Sequence, residues 1–259
     1  MGILNITPDS FSDGGKYNRS PEKALKQAKK MLKAGADIID IGGESTRPGA
    51  LKISTQEEIA RVVPLIELIK KECSCTISID TSKAKVMQAA VKAGADIIND
   101  VKALQGKNAL KTAIKLNVPV CLMHMQGTPK TMQQAPKYQN VVEDVLRYLL
   151  NRAHQCQKAG LKKQHIILDL GFGFGKTQEN NLTLLKNLNR FCNLGYPILV
   201  GISRKTMIGE ILNQPINKRL YGSLSAAVYA TMQGAKILRV HDVKETVQAI
   251  QIIDTLNKL

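Results

Sequence analysis

The sequence predicts an α/β chain folded over residues 1–259 as a single (β/α)8 barrel domain, and three observations carry that prediction. Short runs rich in Ile, Val and Leu recur along the chain, and stretches with apolar residues at three- and four-residue steps lie between them. Their strict alternation implies parallel strands joined by right-handed crossovers. One phrase also repeats: "KAGADIIDI" begins at Lys33, "KAGADIINDV" at Lys92, and "QGAKILRVHDV" follows the same order near the end. Each is a helix end, a glycine able to take positive φ, and a buried strand. Eight such units in 259 residues fit a closed barrel better than an open doubly wound sheet. No Ser/Gly/Pro-rich tract divides the chain.

In order, the strand candidates are "GILNI", "ADIIDIGG", "TISIDTS", "ADIINDV", "VPVCLMHM", "HIILDLGFG", "PILVGIS" and "KILRVHD". The first is followed by a polar, glycine-closed loop, "TPDSFSDGG", and then by a helical pattern from Pro21 to Ala34. Further helical patterns run from Thr55 to Glu72, Lys83 to Ala93 and Asn140 to Ala159. The glycine-rich "DLGFGFGKT" fails both nucleotide-binding spacings: a P-loop needs glycine where Leu170 stands, and a dinucleotide fingerprint needs glycine in place of Lys176. Its glycines are expected to let backbone and the rings of Phe172 and Phe174 approach a flat ligand.

Composition narrows the function. A net charge of +16 could suit nucleic acid, but the lysines are spread along helices and aromatics are only 4% of residues. Neither a basic block nor a stacking platform is present, so no nucleic-acid partner is expected. The five cysteines are odd in number and scattered, and Cys73 and Cys75 have no second pair or histidine cluster at zinc spacing. They read as thiols of a reducing cytoplasm. No apolar stretch has the length of a membrane span, and the N-terminus lacks a signal core, so neither a membrane partner nor export is expected.

Every strand brings a polar residue to its C-terminal end: Asn5, Asp40, Asp80, Asn99, His124, Asp169, Ser203, and the pair Arg239 and His241. In a barrel these ends share the rim where active sites sit. Singly, each is better read as a structural hydrogen-bonding residue; together they read as a site. Carboxylate and amide groups at Asp80, Asn99 and Asp169 need partners in a partly apolar mouth, and an aminopyrimidine edge offers N–H donors for them. Lys205 supplies a cation for the ring's carbonyl oxygen or acceptor nitrogen. Asn5, Arg239 and His241 suit an anion and a magnesium ion. The ligand so implied has a heterocycle at one end and a phosphate at the other. His124 is read as a structural histidine under a loop, and His154 and His165 as surface residues.

The ordered motifs "MGILNITPDSFSDGG", "GGESTRPGA", "SIDTS", "INDV", "LMHMQGTPKTMQ", "DLGFGFGK", "GISRK" and "RVHDV" resemble those of the bacterial dihydropteroate synthases, pterin-binding (β/α)8 enzymes of folate biosynthesis. The resemblance covers most of the chain. It implies a transferase that joins 6-hydroxymethyl-7,8-dihydropterin pyrophosphate to 4-aminobenzoate, releasing pyrophosphate, and a family targeted by sulfonamide analogues of aminobenzoate. Carried over, it puts the pterin against Asp80, Asn99, Met123, Asp169, Phe174 and Lys205. It puts pyrophosphate at Asn5, Arg239 and His241, with Mg2+ on Asn5. Phe11, Thr46, Arg47 and Pro48, on two loops that close over the site, would shape the aminobenzoate pocket with Ser203. Catalytic roles fall to Asp80, Lys205, Arg239 and His241, and the family implies a homodimer.

Two positions depart from the family pattern. Leu170 follows Asp169 where proline is usual, which loosens a backbone constraint, and Met1 starts directly on the first strand where a short covering segment usually precedes it, so either the start is shortened or the barrel bottom is less protected, at an expected cost to stability. The competing readings are a pterin-binding paralogue without activity and a pterin-dependent methyltransferase. The latter does not need the first-strand loop, "ESTRPGA" or the Arg239 and His241 pair.

Overall fold

In a computed structural model, which describes residues 1–6, 21–45, 52–127, 132 and 136–258, eight parallel strands follow one another around a single sheet in chain order. They are β1 (Gly2–Asn5), β2 (Ile38–Gly42), β3 (Thr76–Asp80), β4 (Ile97–Asp100), β5 (Val120–Met123), β6 (Ile166–Asp169), β7 (Ile198–Val200) and β8 (Ile237–Leu238). The sheet closes on itself beyond β8: the Ile3 N–H donates to the Val240 carbonyl at 3.0 Å and the Val240 N–H to the Met1 carbonyl at 2.9 Å. Closure leaves no edge strand, and the expected (β/α)8 barrel is what forms.

Ten α-helices surround the strands among the described residues: α1 (Pro21–Lys33), α2 (Thr55–Glu72), α3 (Ala84–Lys92), α4 (Ala109–Leu116), α5 (Val141–Lys158), α6 (Gln178–Lys186), α7 (Leu188–Cys192), α8 (Thr206–Leu212), α9 (Leu220–Met232) and α10 (Val243–Leu256). The expected helix bounds hold to within a residue because the caps are written in the sequence. The Ser54 hydroxyl accepts the Glu57 N–H at the start of α2, and the Asn140 side chain accepts the Val142 and Glu143 N–H groups at the start of α5.

Two apolar layers follow from strand alternation. Residues such as Ile39, Ile41, Ile77, Ile79 and Ile98 point outward and are fully buried against helices, with Phe172 and Phe191 among the largest side chains in that layer. Ile97, Cys121, Ile167 and Leu199 point inward and plug the barrel. Phe172 is thus a core residue, not a ligand-facing ring as expected: its side chain packs outward from the turn after β6, and only Phe174 stays partly exposed.

Phe191 on α7 is wholly buried, so Phe191→Ala should cost about 3–5 kcal/mol through lost burial and the cavity left behind. A urea unfolding series should show that loss as a lower midpoint at unchanged slope.

Candidate active site

The inward positions step two residues up each strand from the apolar plug to a polar layer. Above Ile3 comes Asn5, above Ile38 come Asp40 and Gly42, above Ser78 comes Asp80, above Ile97 comes Asn99, above Ile167 comes Asp169, and above Ile237 comes Arg239. Register aligns several of them side by side: Asn5 pairs with Gly42, Gly42 with Asp80, Asp80 with Asn99, and Met123 with Asp169. Glycine at 42 is a spatial requirement. A Cβ there would lie 3.1 Å from Asn5 Oδ1 and 3.7 Å from the Asp80 Cβ, in the gap those side chains share.

Arg239 organises one half of this layer. Its Nε donates to Asp40 Oδ2 at 2.6 Å and its Nη2 to Asp80 Oδ2 at 2.8 Å. Asp40 is wholly buried and also faces the Asn99 amide nitrogen at 3.3 and 3.4 Å. Two buried carboxylates therefore share one guanidinium. Burial, with Asp40 and Asp100 nearby and only that shared cation in opposition, raises the Asp80 carboxyl to about 7. For Arg239, burial alone would favour the neutral form, but the two carboxylates outweigh it and hold the guanidinium above its ordinary range.

The other half is built on the turn after β6. Asp169 Oδ1 accepts the Gly171 N–H at 2.7 Å, burial raises its carboxyl, and Lys205 is the strongest opposing charge. The Lys205 ammonium donates to the Phe172 carbonyl and lies 4.7 Å from the centre of the Phe174 ring. Burial lowers it to about 8 against the pull of Asp169. Gly171, Gly173 and Gly175 all have positive φ, and a Cβ on Gly171 would sit 1.9 Å from the His124 carbonyl oxygen. The turn must be glycine-rich to pass this close to the loop after β5.

Beyond β7, the Ser203 hydroxyl accepts the His241 N–H at 3.2 Å and lies 3.1 Å from His241 Nδ1. Arg204 grips Asp242 with two guanidinium nitrogens, and its own N–H donates to Ser223 at 2.9 Å. This pair fastens the segment carrying Ser203 and Lys205 to the segment carrying Arg239 and His241.

The whole arrangement is a mouth in which the buried acceptors Asp80, Asn99 and Asp169 lie with the cations Arg239 and Lys205, Asn5 sits across Gly42 from Asp80, and His241 is held by Ser203. Residues 1–241 match the family model described as pterin binding enzyme. The chain is 56% identical to the dihydropteroate synthase of Haemophilus influenzae, over 97% of this chain and 91% of that one. The chain belongs to the dihydropteroate synthase family of pterin-binding enzymes. It is also 53% identical to the Escherichia coli dihydropteroate synthase, over 98% of this chain and 90% of its relative. Among solved structures it is similar to the Yersinia pestis dihydropteroate synthase in complex with a sulfonamide drug, with a TM-score of 0.96 and 50% identity over 100% of this chain and 94% of that one. The Xanthomonas albilineans dihydropteroate synthase in complex with 7,8-dihydropteroate superposes with a TM-score of 0.91 at 42% identity, over 100% of this chain and 93% of the other.

Of the residues expected to form the site in this dihydropteroate synthase family member, Asp80, Asn99, Asp169, Lys205, Arg239, Asn5, Ser203 and His241 come together at the barrel mouth, and Met123 ends β5 beside Asp169. Phe11, Thr46, Arg47 and Pro48 lie outside the described residues. Leu170 does not loosen its neighbour: its side chain is fully buried in the outer layer, and the Gly171 N–H fixes the Asp169 carboxylate. His124 is structural as expected, buried with its ring edge-on to Tyr148 at 4.8 Å. His154 is exposed as expected, but His165 is only half-exposed and its Nδ1 is buried without a hydrogen-bond partner. Asp40 lies inside its strand, not at its end, and reaches the mouth because the residue above it is glycine.

Sequence reasoning missed the clamp at the neck after β2. Glu44 accepts the Ile53 N–H at 3.0 Å, while Lys83 donates to the Ile53 carbonyl at 2.8 Å and pairs with the buried Glu58 at 2.7 Å. It also missed Lys176, which is buried with a relative exposure of 3%.

The raised Asp80 carboxyl gives a signed prediction for stability. Between its unfolded value and about 7 the folded chain holds a proton that the unfolded chain has lost, so Asp80's contribution to stability falls as pH rises through that window. Urea midpoints at pH 5 and pH 7 should show this slope, and Asp80→Asn should flatten it.

Proposed function

We propose that this chain catalyses the condensation of 6-hydroxymethyl-7,8-dihydropterin pyrophosphate with 4-aminobenzoate to 7,8-dihydropteroate and pyrophosphate. The observation that carries the reading is the set of buried acceptors Asp80, Asn99 and Asp169 together with the Lys205 ammonium at the mouth. The aminopyrimidine edge of a pterin has N–H donors for the former and a carbonyl oxygen for the latter. The Asn99 amide nitrogen already faces Asp40, which leaves its oxygen as the group presented to ligand.

The bond that breaks joins the pterin methylene to the bridging oxygen of pyrophosphate, whose electron pair leaves with the phosphate. The aryl amine nitrogen then bonds to the methylene and loses a proton. Arg239 and His241 stabilise the charge growing on the departing pyrophosphate, and the carboxylates stabilise the cationic pterin left behind. No protein nucleophile is needed. Asn5, whose side-chain oxygen lies in the gap at Gly42 beside Asp80, would hold Mg2+. Such a site suits an ion that keeps waters and takes most of its ligands from phosphate. When bound, the ion supplies positive charge to the leaving group.

We further infer a homodimer. Among the described residues, nearly all exposed large apolar side chains concentrate on α8 to α10 and the short link between α8 and α9, with Tyr221, Tyr229 and Met232 forming one stripe on α9 and Ile252 and Leu256 lying one turn apart on α10. Such a patch supports a self-complementary contact between copies. No helix among the described residues is long and apolar enough to cross a membrane, and the thiol state of all five cysteines supports a cytoplasmic setting.

Purified protein given the dihydropterin pyrophosphate, 4-aminobenzoate and Mg2+ should form dihydropteroate and release pyrophosphate, and omission of Mg2+ should stop it. Arg239→Ala should lower kcat about 10²–10³-fold, while Asp80→Ala should act mainly through weaker pterin binding. Unchanged turnover in both variants, or pterin binding without product, would sink the assignment. Light scattering should give twice the chain mass, and Met232→Glu should reduce it toward the monomer.

A further inference from the structure

Lys176 closes the turn after β6 and has no role in the chemistry above. Burying a lysine is unfavourable unless its donors are all taken. Here they are: Nζ donates to the Gly171 carbonyl at 2.9 Å, to the Phe174 carbonyl at 3.0 Å and to His124 Nδ1 at 2.9 Å. Three ammonium protons meet three acceptors. His124 can accept because it is neutral, its ring pushed down to about 3 by burial first and then by the lysine's charge.

The two carbonyls bracket the turn that carries Phe174, and the Phe174 N–H itself donates to the Gly171 carbonyl at 3.0 Å. The next residue along is held as well, by the Tyr138 hydroxyl, which donates to the Gly175 carbonyl at 2.6 Å. A cation adds a field. Asp169 stands at the head of the turn, and Lys176 is one of the charges that oppose the effect of burial on its carboxyl.

We propose that Lys176 is a positioning residue for the pterin end of the site: its ammonium fixes the Gly171–Phe174 turn, and through it the Phe174 ring and Lys205, and stands as a second cation beside Asp169. The proposal rests on the pterin reading given above. The charged and titratable groups facing this pair are His124 after β5, Cys121 within β5, Lys205 at the start of α8 and Arg239 after β8. Burial lowers Lys176 itself to about 7, with Asp169 opposing, so the ammonium is present below that pH, where Asp169 most needs a counter-charge to stay ionised.

The test uses Lys176→Met and Lys176→Gln, the second keeping a donor for the carbonyls but no charge. In both, the affinity for dihydropterin pyrophosphate should fall about 10-fold or more, equivalent to about 1.4 kcal/mol. The KM for 4-aminobenzoate at saturating pterin should stay within about 2-fold, a difference below 0.5 kcal/mol. The acid limb of pterin binding should move up by about one pH unit as Asp169 loses a cation. Unchanged pterin affinity and an unmoved acid limb would overturn the proposal. So would equal weakening of both substrates together with a lower melting temperature, which is the mark of a purely structural lysine. If Lys176→Met does not fold, Lys176→Gln decides by the same readouts. Failure of the unaltered protein to bind pterin is a separate result, and it would remove the functional reading itself.

Discussion

One guanidinium between two carboxylates governs the barrel mouth. Arg239 joins Asp40 of β2 and Asp80 of β3 from a position just past β8, so one interaction spans the seam where the sheet closes and fills the inside of the polar layer. Removing the arginine would leave two like charges buried beside each other, and removing one carboxylate would leave the arginine overcommitted to the other. The layer below is mostly apolar, built around Ile97, Cys121, Ile167 and Leu199. The polar residues of the mouth must satisfy one another until a ligand arrives with donors and anions of its own.

That condition explains why site and stability are hard to separate here. Burial, and having to share its cation, raise the Asp80 carboxyl well above the usual carboxylate range. A donor-rich heterocycle would bring N–H groups to carboxylates that share one cation. The second half of the site follows the same logic with different parts: Asp169 leans on Lys205, on Lys176 and on one backbone N–H. The clamp of Arg204 on Asp242 keeps the two halves at a fixed separation without entering either.

Much of this was legible in the sequence because strand geometry has a period of two. Once eight strands were recognised, the polar residue two steps above each apolar one had to face the mouth, and Asn5, Asp80, Asn99, Asp169 and Arg239 do. Contacts between residues far apart in the chain were not legible: nothing local marks Asp40 as the partner of a residue 199 positions away. Phe172 was misread, and the burial of Lys176 passed unread, for a related reason. Both lie in a turn of alternating glycines with positive φ, where strand parity no longer tells which way a side chain points, and where a lysine can turn inward to satisfy carbonyls that a regular strand would have paired. Leu170 shows the converse. Its burial supplies the rigidity that a proline ring would have supplied through the backbone.

The position of Arg239 in the chain also sets an order of events during synthesis. Asp40 and Asp80 are made early, in strands that can pair as soon as they emerge, but their cation arrives with the last strand. A chain that lacks the last strand therefore has two carboxylates without the guanidinium they share, and burying them costs more until that strand is in place.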